Sequence, residues 1–521
     1  MKFGLSVPMG IFTRNYSGAT EEYLRAFGST GEFLDFCSRE FDSVELRAVR
    51  PDCPADILVE AVRTLKARGL FVTIHGTLSD NFFAPYHALF SAGLQEEYTI
   101  TVHPLPTHEE TVEALSDICR EIESQAYPVR IALENQRLKV HKLYGTCADV
   151  LRVAEEVNSK TLSLCFDFGH QLNNERDGKA PAPTDEFLTR VIHTHIHSLG
   201  TNTHFPLCEG ECLLDRNLGS LFSRGYDGVL NLELSPERYC NICDVKDSLV
   251  KSAAILKAAA HQAAVRLSAK EFYEKEYEDR LRQAMDELDA LDNCAVLIGP
   301  SAYAIKLCGV RIAVDVSPRI LPISDSAKAL LLERISEFDA HILTHGHGDH
   351  CDLEFISSLP SSVKKIIPDF IELKTDGRVT VRDGDVVEIG ELALCFFSAA
   401  HFFMGKGVPE YGFAIKVDAA HYVFPIDARD YAFEYPHFDR VRAVFTHLWL
   451  GRDVALNFDE LYVDEFCRFA KSFGAERIYT AHLVETSRKI DNMWSDIHLD
   501  LIKKQIPDII APAIGELIRL E

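Results

Sequence analysis

The chain has 521 residues and a formal net charge of −25, with 54 Lys and Arg against 79 Asp and Glu. At ~150 residues per domain this predicts more than one domain, although a single barrel can take ~250. A composition of 47% hydrophobic and 26% charged residues is ample for full cores and excludes a disordered chain.

Acidic residues outnumber basic ones in both halves, which disfavours nucleic acid as a partner unless a local patch or a metal supplies positive charge. The start, MKFGLSVPMG, lacks the charged-then-apolar layout of a signal peptide. No apolar run approaches ~20 residues, so no membrane span is expected. The 14 Cys are scattered without a compact disulfide framework, which suits a reducing cytoplasm.

Short β-branched runs recur from the start: Phe3–Val7, Ser43–Leu46, Leu70–His75, Tyr98–His103, Val129–Glu134, Thr161–Asp167, Val191–His197 and Val229–Glu233. Helix-like stretches such as Ala55–Arg68, Glu109–Ser124 and Ala148–Val157 lie between them. This alternation predicts a (β/α)8 TIM barrel over residues 1–262. His75, His103, Glu134, Asp167, His195 and Glu233 fall at the carboxyl ends of these strands, the face on which barrels build active sites.

Residues 263–290 are charged and helical in pattern, without Gly or Pro, and are expected to form a helical linker. Its apolar side would be Phe272, Tyr273, Tyr277, Leu281 and Met285. From Ala295 the pattern becomes a β-meander. Later strands are expected at Ala340–Thr344, Lys365–Ile367, Leu392–Ser398, Tyr411–Val417, Tyr422–Ile426, Ala443–Thr446 and Arg477–Thr480. Helices are expected around Ser326–Ser336 and Asp459–Ser472. Mixed strands with interspersed helices fit an αββα sandwich over residues 291–521.

Thr344-His345-Gly346-His347-Gly348-Asp349-His350 follows an apolar strand. Imidazoles and a carboxylate crowded on a Gly-rich turn point to zinc, iron or manganese. The segment resembles the HxHxDH signature of the metallo-β-lactamase-fold hydrolases, and the resemblance extends over about residues 291–521. That family takes further ligands from strand ends: a His, a bridging Asp and a last His. Here His401 follows CFFSAA, Asp427 follows YVFPI and His482 follows RIYTA. The resemblance implies one metal on His345, His347 and His401. It implies a second on Asp349, His350 and His482, with Asp427 bridging and Asp349 essential for hydrolysis. Between two such ions a bound water has its pKa lowered towards ~7. His447, which also ends a strand, competes with His482 as last ligand or lies near substrate, and Arg429 is a candidate contact for an anionic group.

In the first half, Ala132-Leu133-Glu134-Asn135, Phe166-Asp167-Phe168-Gly169-His170 and His195-Ile196-His197 with His204-Phe205-Pro206-Leu207 resemble the xylose isomerase-like barrels. That family includes sugar epimerases and endonuclease IV-type nucleases. The epimerase branch implies one metal on Glu134, Asp167, His195 and Glu233, with Glu134 and Glu233 as catalytic acid and base and His197 near the substrate. The nuclease branch implies three zinc ions and the additional ligands His75, His103, His170 and His204. Its Asp shortly before the last of these is missing, and Thr203 stands there. One to three ions are therefore expected in the barrel. Cys208, Cys212, Cys240 and Cys243 lie in the loops after the last two strands, so a four-thiolate site is geometrically open, with free thiols as the alternative.

Together these resemblances imply a bifunctional cytoplasmic metalloenzyme, zinc being the first choice of metal. A dinuclear hydrolase of a lactone or phosphoester would be fused to an isomerase- or epimerase-like barrel. The expected partner is an anionic or sugar-like small molecule, and a homo-oligomer is open. The rival is a phosphodiesterase or nucleic-acid-processing enzyme with an endonuclease IV-like multi-zinc barrel, which a basic groove around either site would favour.

Overall fold

The computed structural model describes residues 1–139, 143–402 and 404–520. They form two compact units, Met1–His261 and Gln262–Glu521. No helix among the described residues is long and apolar enough to cross a membrane.

The first unit is a closed barrel of eight parallel strands in sequential order. They are β1 (Lys2–Pro8), β2 (Ser43–Arg47), β3 (Phe71–His75), β4 (Tyr98–Val102), β5 (Val129–Glu134), β6 (Leu162–Asp167), β7 (Val191–Ile196) and β8 (Val229–Leu232). Strand β1 closes the ring by pairing in parallel with both β2 and β8. A sheet covered by helices outside and filled by side chains inside favours continuous apolar strands, and the expected runs match the observed ones to within a residue or two. His103, His197 and Glu233 sit just beyond their strands. The intervening helices start where side chains cap them: Thr107 and Thr146 form capping boxes with Glu110 and Asp149.

The second unit stacks two sheets. Its strands are β9 (Cys294–Leu297), β10 (Tyr303–Leu307), β11 (Val310–Val314), β12 (Ala340–Ile342), β13 (Lys364–Pro368), β14 (Arg378–Val381) and β15 (Val386–Ile389). There follow β16 (Leu392–Ala399), β17 (Glu410–Val417), β18 (Ala420–Ile426), β19 (Val441–His447), β20 (Arg477–Ala481) and β21 (Leu517–Arg519). The sheets run β14-β13-β12-β11-β10-β9-β21 and β15-β16-β17-β18-β19-β20. Ile305, Ile312 and Ile342 face Leu394, Phe413 and Phe445 across the inner core. Helices cover the outer faces, giving the αββα sandwich. The strands that the sequence pattern did not suggest, β14, β15 and β21, are all at sheet edges. An edge strand buries less, so its apolar signal is weak.

The segment 263–290, expected as a linker helix, lies in helices Val245–Lys275 and Tyr277–Ala290. It contributes Tyr273, Tyr277, Leu281, Met285 and Leu288 to a core shared with Val296, Ala304 and Leu330. The apolar side expected for it is therefore core of the second unit, under a charged exterior.

A column of rings crosses the six-stranded sheet. Phe424 stacks on Phe413 at 4.7 Å and on Phe445 at 4.5 Å, and Phe445 stacks on Tyr479 at 4.8 Å. Each ring comes from a neighbouring strand, so the column ties β17 to β20. Phe424→Ala should destabilise this unit by about 3–5 kcal/mol, read as a lowered midpoint of its transition in urea unfolding; a change under about 1 kcal/mol would show that the column bears little of the load.

Candidate metal centres

At the barrel mouth Glu134, fully buried at the end of β5, is surrounded by imidazoles. Its Oε2 lies 3.2 Å from His75 Nε2, His103 Nε2 and His195 Nδ1 alike. Its Oε1 lies 3.5 Å from His170 Nδ1. Asp167 contacts His197 Nε2 at 3.1 Å and His170 Nδ1 at 3.3 Å. Glu233 contacts His195 Nδ1 at 3.4 Å and His204 Nε2 at 3.3 Å. Burial alone would push the Glu134 carboxyl up, but His195 and His103 hold it well below the usual carboxylate range. Burial and the neighbouring His197 bring His204 down to about 4.

Local backbone aims these groups. Asp167 caps helix Phe168–Arg176, accepting from His170 N at 2.6 Å, which brings His170 round to the Asp167 carboxylate. Gly169 packs against the His197 ring so closely that any Cβ there would collide with it. His204 has φ 67°, a left-handed conformation that a side-chain-bearing residue adopts rarely.

The donor groups in the barrel include His75, Glu134 and His195, then Asp167, His170, His197 and His204, and also Glu45, His193 and His195, each with ligand atoms within 4.8 Å of one another. His197, expected near substrate, thus stands among the donors. The fit to cations shows in unmet valences. Glu134 Oε1 and His195 Nδ1 are buried with no hydrogen-bond partner among the described residues.

Sequence reading missed Glu45. It is fully buried on β2 and accepts from Ser6 Oγ at 2.5 Å, His195 Nε2 at 2.9 Å, His193 Nε2 at 3.1 Å and Asn231 Nδ2 at 3.1 Å. Burial opposes its charge, yet His195 and His193 hold it well below the usual range. An ionised Glu45 takes the Nε2 proton of His195 and leaves Nδ1 as the donor facing Glu134 and Glu233. The available signal was an acid inside a strand otherwise patterned for a barrel wall.

The loop after β12 and the ends of β16, β18, β19 and β20 converge in the second unit. Thr344 Oγ1 donates to Asp315 at 2.6 Å and so accepts from His345 Nδ1 at 3.0 Å. His350 Nδ1 donates to Asp315 at 2.9 Å and His401 Nδ1 to Glu410 at 2.8 Å. Each imidazole is thereby fixed with its proton on Nδ1. The Nε2 atoms of His345, His350 and His401, together with Asp427 Oδ1, are buried without partners among the described residues. These orphaned lone pairs are what a cation requires. Two donor groups share Asp427: one with His345, His347 and His401, the other with His350, His447 and His482.

His447 and His482, the two candidates for last ligand, both stand in the second group, their rings stacked at 4.9 Å. Both His447 nitrogens are buried without partners among the described residues. Asp349 is held by Arg488 Nη2 at 2.8 Å and lies 3.3 Å from His482 Nε2. Burial works against its ionisation, and His350, His482 and Arg488 outweigh burial and hold its carboxyl far down. Burial, reinforced by His401, brings His347 down to about 4. Arg429, expected to meet substrate, is buried with Nη2 2.9 Å from Asp427 Oδ2. Ile426 and His482 have φ 52° and 71°, strain located beside the donors.

Asp315, Glu410, Glu485 and Arg488 were also missed. Asp315 follows an apolar strand as the recognised donors do; Glu485 and Arg488 stand in a loop without periodicity. Of the four loop cysteines, Cys208 neighbours Cys243, whereas Cys212 lies towards Asp167 and Cys240 towards Glu22 and Arg25. Their differing surroundings give no support to a shared thiolate site.

Residues 38–259 match the xylose isomerase-like TIM barrel family. Two uncharacterized proteins of Methanocaldococcus jannaschii are 27% identical over 136 residues and 28% identical over 152 residues. These matches cover 26% and 27% of this chain and 43% and 53% of the relatives, so the chain spans about half the length of the curated relatives it matches. Among solved structures, a D-tagatose 3-epimerase-like protein is 20% identical, covering 51% of this chain and 100% of its own, with a TM-score of 0.37. A metallo-β-lactamase fold protein of Bacillus subtilis is 15% identical, covering 43% and 97%, with a TM-score of 0.32. A possible metal-dependent hydrolase of Veillonella parvula is 13% identical, covering 44% and 100%, with a TM-score of 0.31.

Glu45→Gln keeps the shape of the side chain but removes the charge that selects the His195 tautomer. Zinc affinity of the barrel should fall about 10–100-fold, measured by competition with a chromophoric chelator. Unchanged affinity would mean that Glu45 only fills space.

Proposed function

We propose that the chain is a bifunctional metalloenzyme, with a dinuclear hydrolase in the second unit and a multi-ion centre in the barrel. The observation that carries the first part is the set of three imidazoles fixed on Nδ1 by Asp315, Thr344 and Glu410, whose free Nε2 atoms meet around Asp427. His345, His347, His401 and Asp427 would hold one ion, and His350, Asp427, His447 and His482 the other. Bound divalent ions supply Lewis acidity, which makes water acidic enough to attack at neutral pH and offsets charge on a departing oxygen.

The residues of the chain do the positioning. Asp349, ionised and pinned by Arg488, accepts a hydrogen bond from the attacking water and aims its lone pair at the ester carbon or phosphorus. Water oxygen joins that atom, the ester bond breaks, and the proton passes to the leaving oxygen. The substrate read from this site is a lactone or phosphoester of a sugar-like small molecule.

For the barrel, proton exchange between Glu134 and Glu233 competes with hydrolysis. The geometry favours hydrolysis. Three imidazoles crowd one oxygen of Glu134, an arrangement that suits a shared metal ligand better than a proton carrier. His75, His103, His170, His197 and His204 exceed the donors that a single ion needs.

Elemental analysis of the reconstituted whole chain should find at least three ions, and prolonged chelation should abolish hydrolysis until metal is restored; one ion or none per chain would count against both centres. Asp349→Ala should lower turnover of the responsive ester or lactone by roughly 10²-fold or more at unchanged melting temperature. Wild-type turnover in that variant would sink the assignment of Asp349.

A further inference from the structure

The barrel mouth opens into a cavity of about 450 Å³. Its floor carries His103, His170, His204 and Glu233, and its rim carries Arg47, Arg137, Lys139 and Arg238. Four cationic side chains around one cavity are notable in a chain of net charge −25. Among the described residues, Glu237 is the one further acid lining this cavity besides Glu233.

The guanidinium groups are built in by contacts that leave their charge in place. Arg238 Nη1 donates to Thr203 O at 2.9 Å and to Thr203 Oγ1 at 3.0 Å, and lies 3.0 Å from His204 Nδ1. Arg137 Nη1 donates to Asn202 Oδ1 at 3.3 Å, and its Nε is buried with no hydrogen-bond partner among the described residues. Arg47 Nη1 donates to Leu234 O at 3.1 Å and stands 4.0 Å from Glu233. Arg137 and Arg238 are thus each anchored through Nη1, Arg137 by Asn202 and Arg238 by Thr203 and His204. Lys139 is exposed beside them.

A carboxylate is satisfied by one guanidinium fork, whereas a phosphate offers three oxygens and close to two charges and can engage several cations at once. The cavity volume lies within the ~300–1,000 Å³ of small-molecule sites. We infer that the barrel's substrate is a small phosphorylated molecule whose phosphate rests on Arg137, Lys139 and Arg238 while its reacting group faces the donor floor. This rests on the proposed metal centre below the rim.

The test uses the metal-replete whole chain, titrated calorimetrically with ribulose 5-phosphate, with ribulose and with a single-stranded oligonucleotide. The phosphorylated sugar should bind at least about tenfold more tightly than ribulose. Arg137→Ala should erase most of that preference, and Lys139→Ala, at an exposed position, should reduce it, with metal content unchanged in both. Equal binding of the two sugars overturns the inference. So does a preference that survives in both variants, which would place the phosphate on the metals, and so does tighter binding of the oligonucleotide. Metal content is read alongside, so a barrel without ions refutes the centre itself rather than the rim.

Discussion

An imidazole has two nitrogens, and a buried one must satisfy both. That constraint organises the two halves of this protein. A buried polar atom left unpaired costs about 1–3 kcal/mol, and a buried charge several kcal/mol more. In the second unit one nitrogen of His345, His350 and His401 is committed to Thr344, Asp315 and Glu410. The other nitrogen of each is left facing a common volume. These partners are themselves anchored: Thr344 Oγ1 donates to Asp315 at 2.6 Å, Asp315 accepts from Thr344 N at 2.9 Å, and Glu410 accepts from Asp427 N at 2.9 Å. A cation resolves the deficit without moving a side chain.

The barrel meets the same constraint with the roles exchanged. Carboxylates stand at the centre and imidazoles surround them, with Glu134 inside a ring of His75, His103, His170 and His195. Two of these imidazoles meet a second buried carboxylate: His195 meets Glu45 through Nε2, and His170 meets Asp167 through Nδ1. The charge of Glu134 lies at the centre of the ring. The second unit is organised by carboxylates behind its histidines; the barrel is organised by carboxylates among them.

Much of this was legible in the chain because strand ends are local events. A run such as VRIALE predicts both a β-strand and the residue that emerges from it, and the barrel topology then brings eight such ends together. His345 to His350 were legible for the same reason, as a polar turn interrupting an apolar strand. What stayed hidden was relational. Glu45 matters because the barrel brings β2 to β7, and Glu410 because the antiparallel pairing of β16 with β17 returns it to His401. The first contact has no spacing that a linear reading can detect, and the second depends on the register of a hairpin. The segment 263–290, by contrast, showed its apolar side in the sequence. Its few apolar residues are diluted by charge along the chain, yet Tyr277, Leu281, Met285 and Leu288 fall on one side once wound into a helix, and they bury together.

The competition between His447 and His482 shows why a motif's order is a weaker guide than strand adjacency. Both residues follow apolar strands, and a family order of ligands makes them alternatives. In the sheet, β19 and β20 are parallel neighbours whose register pairs His447 with Ala481. Adjacent parallel strands end side by side, so a residue at the end of one and the first residue beyond the other project from the same edge. The stacking of the two rings follows directly. His482 has Glu485 3.2 Å from its Nδ1, whereas His447 Nδ1 stands 3.9 Å from Asp427 Oδ1 and neither His447 nitrogen has a hydrogen-bond partner among the described residues. A neutral imidazole buried with both nitrogens unmet would be a net cost to folding. In the proposed assignment it would donate to the same cation as His482, leaving Asp349, tied to Arg488, to orient water.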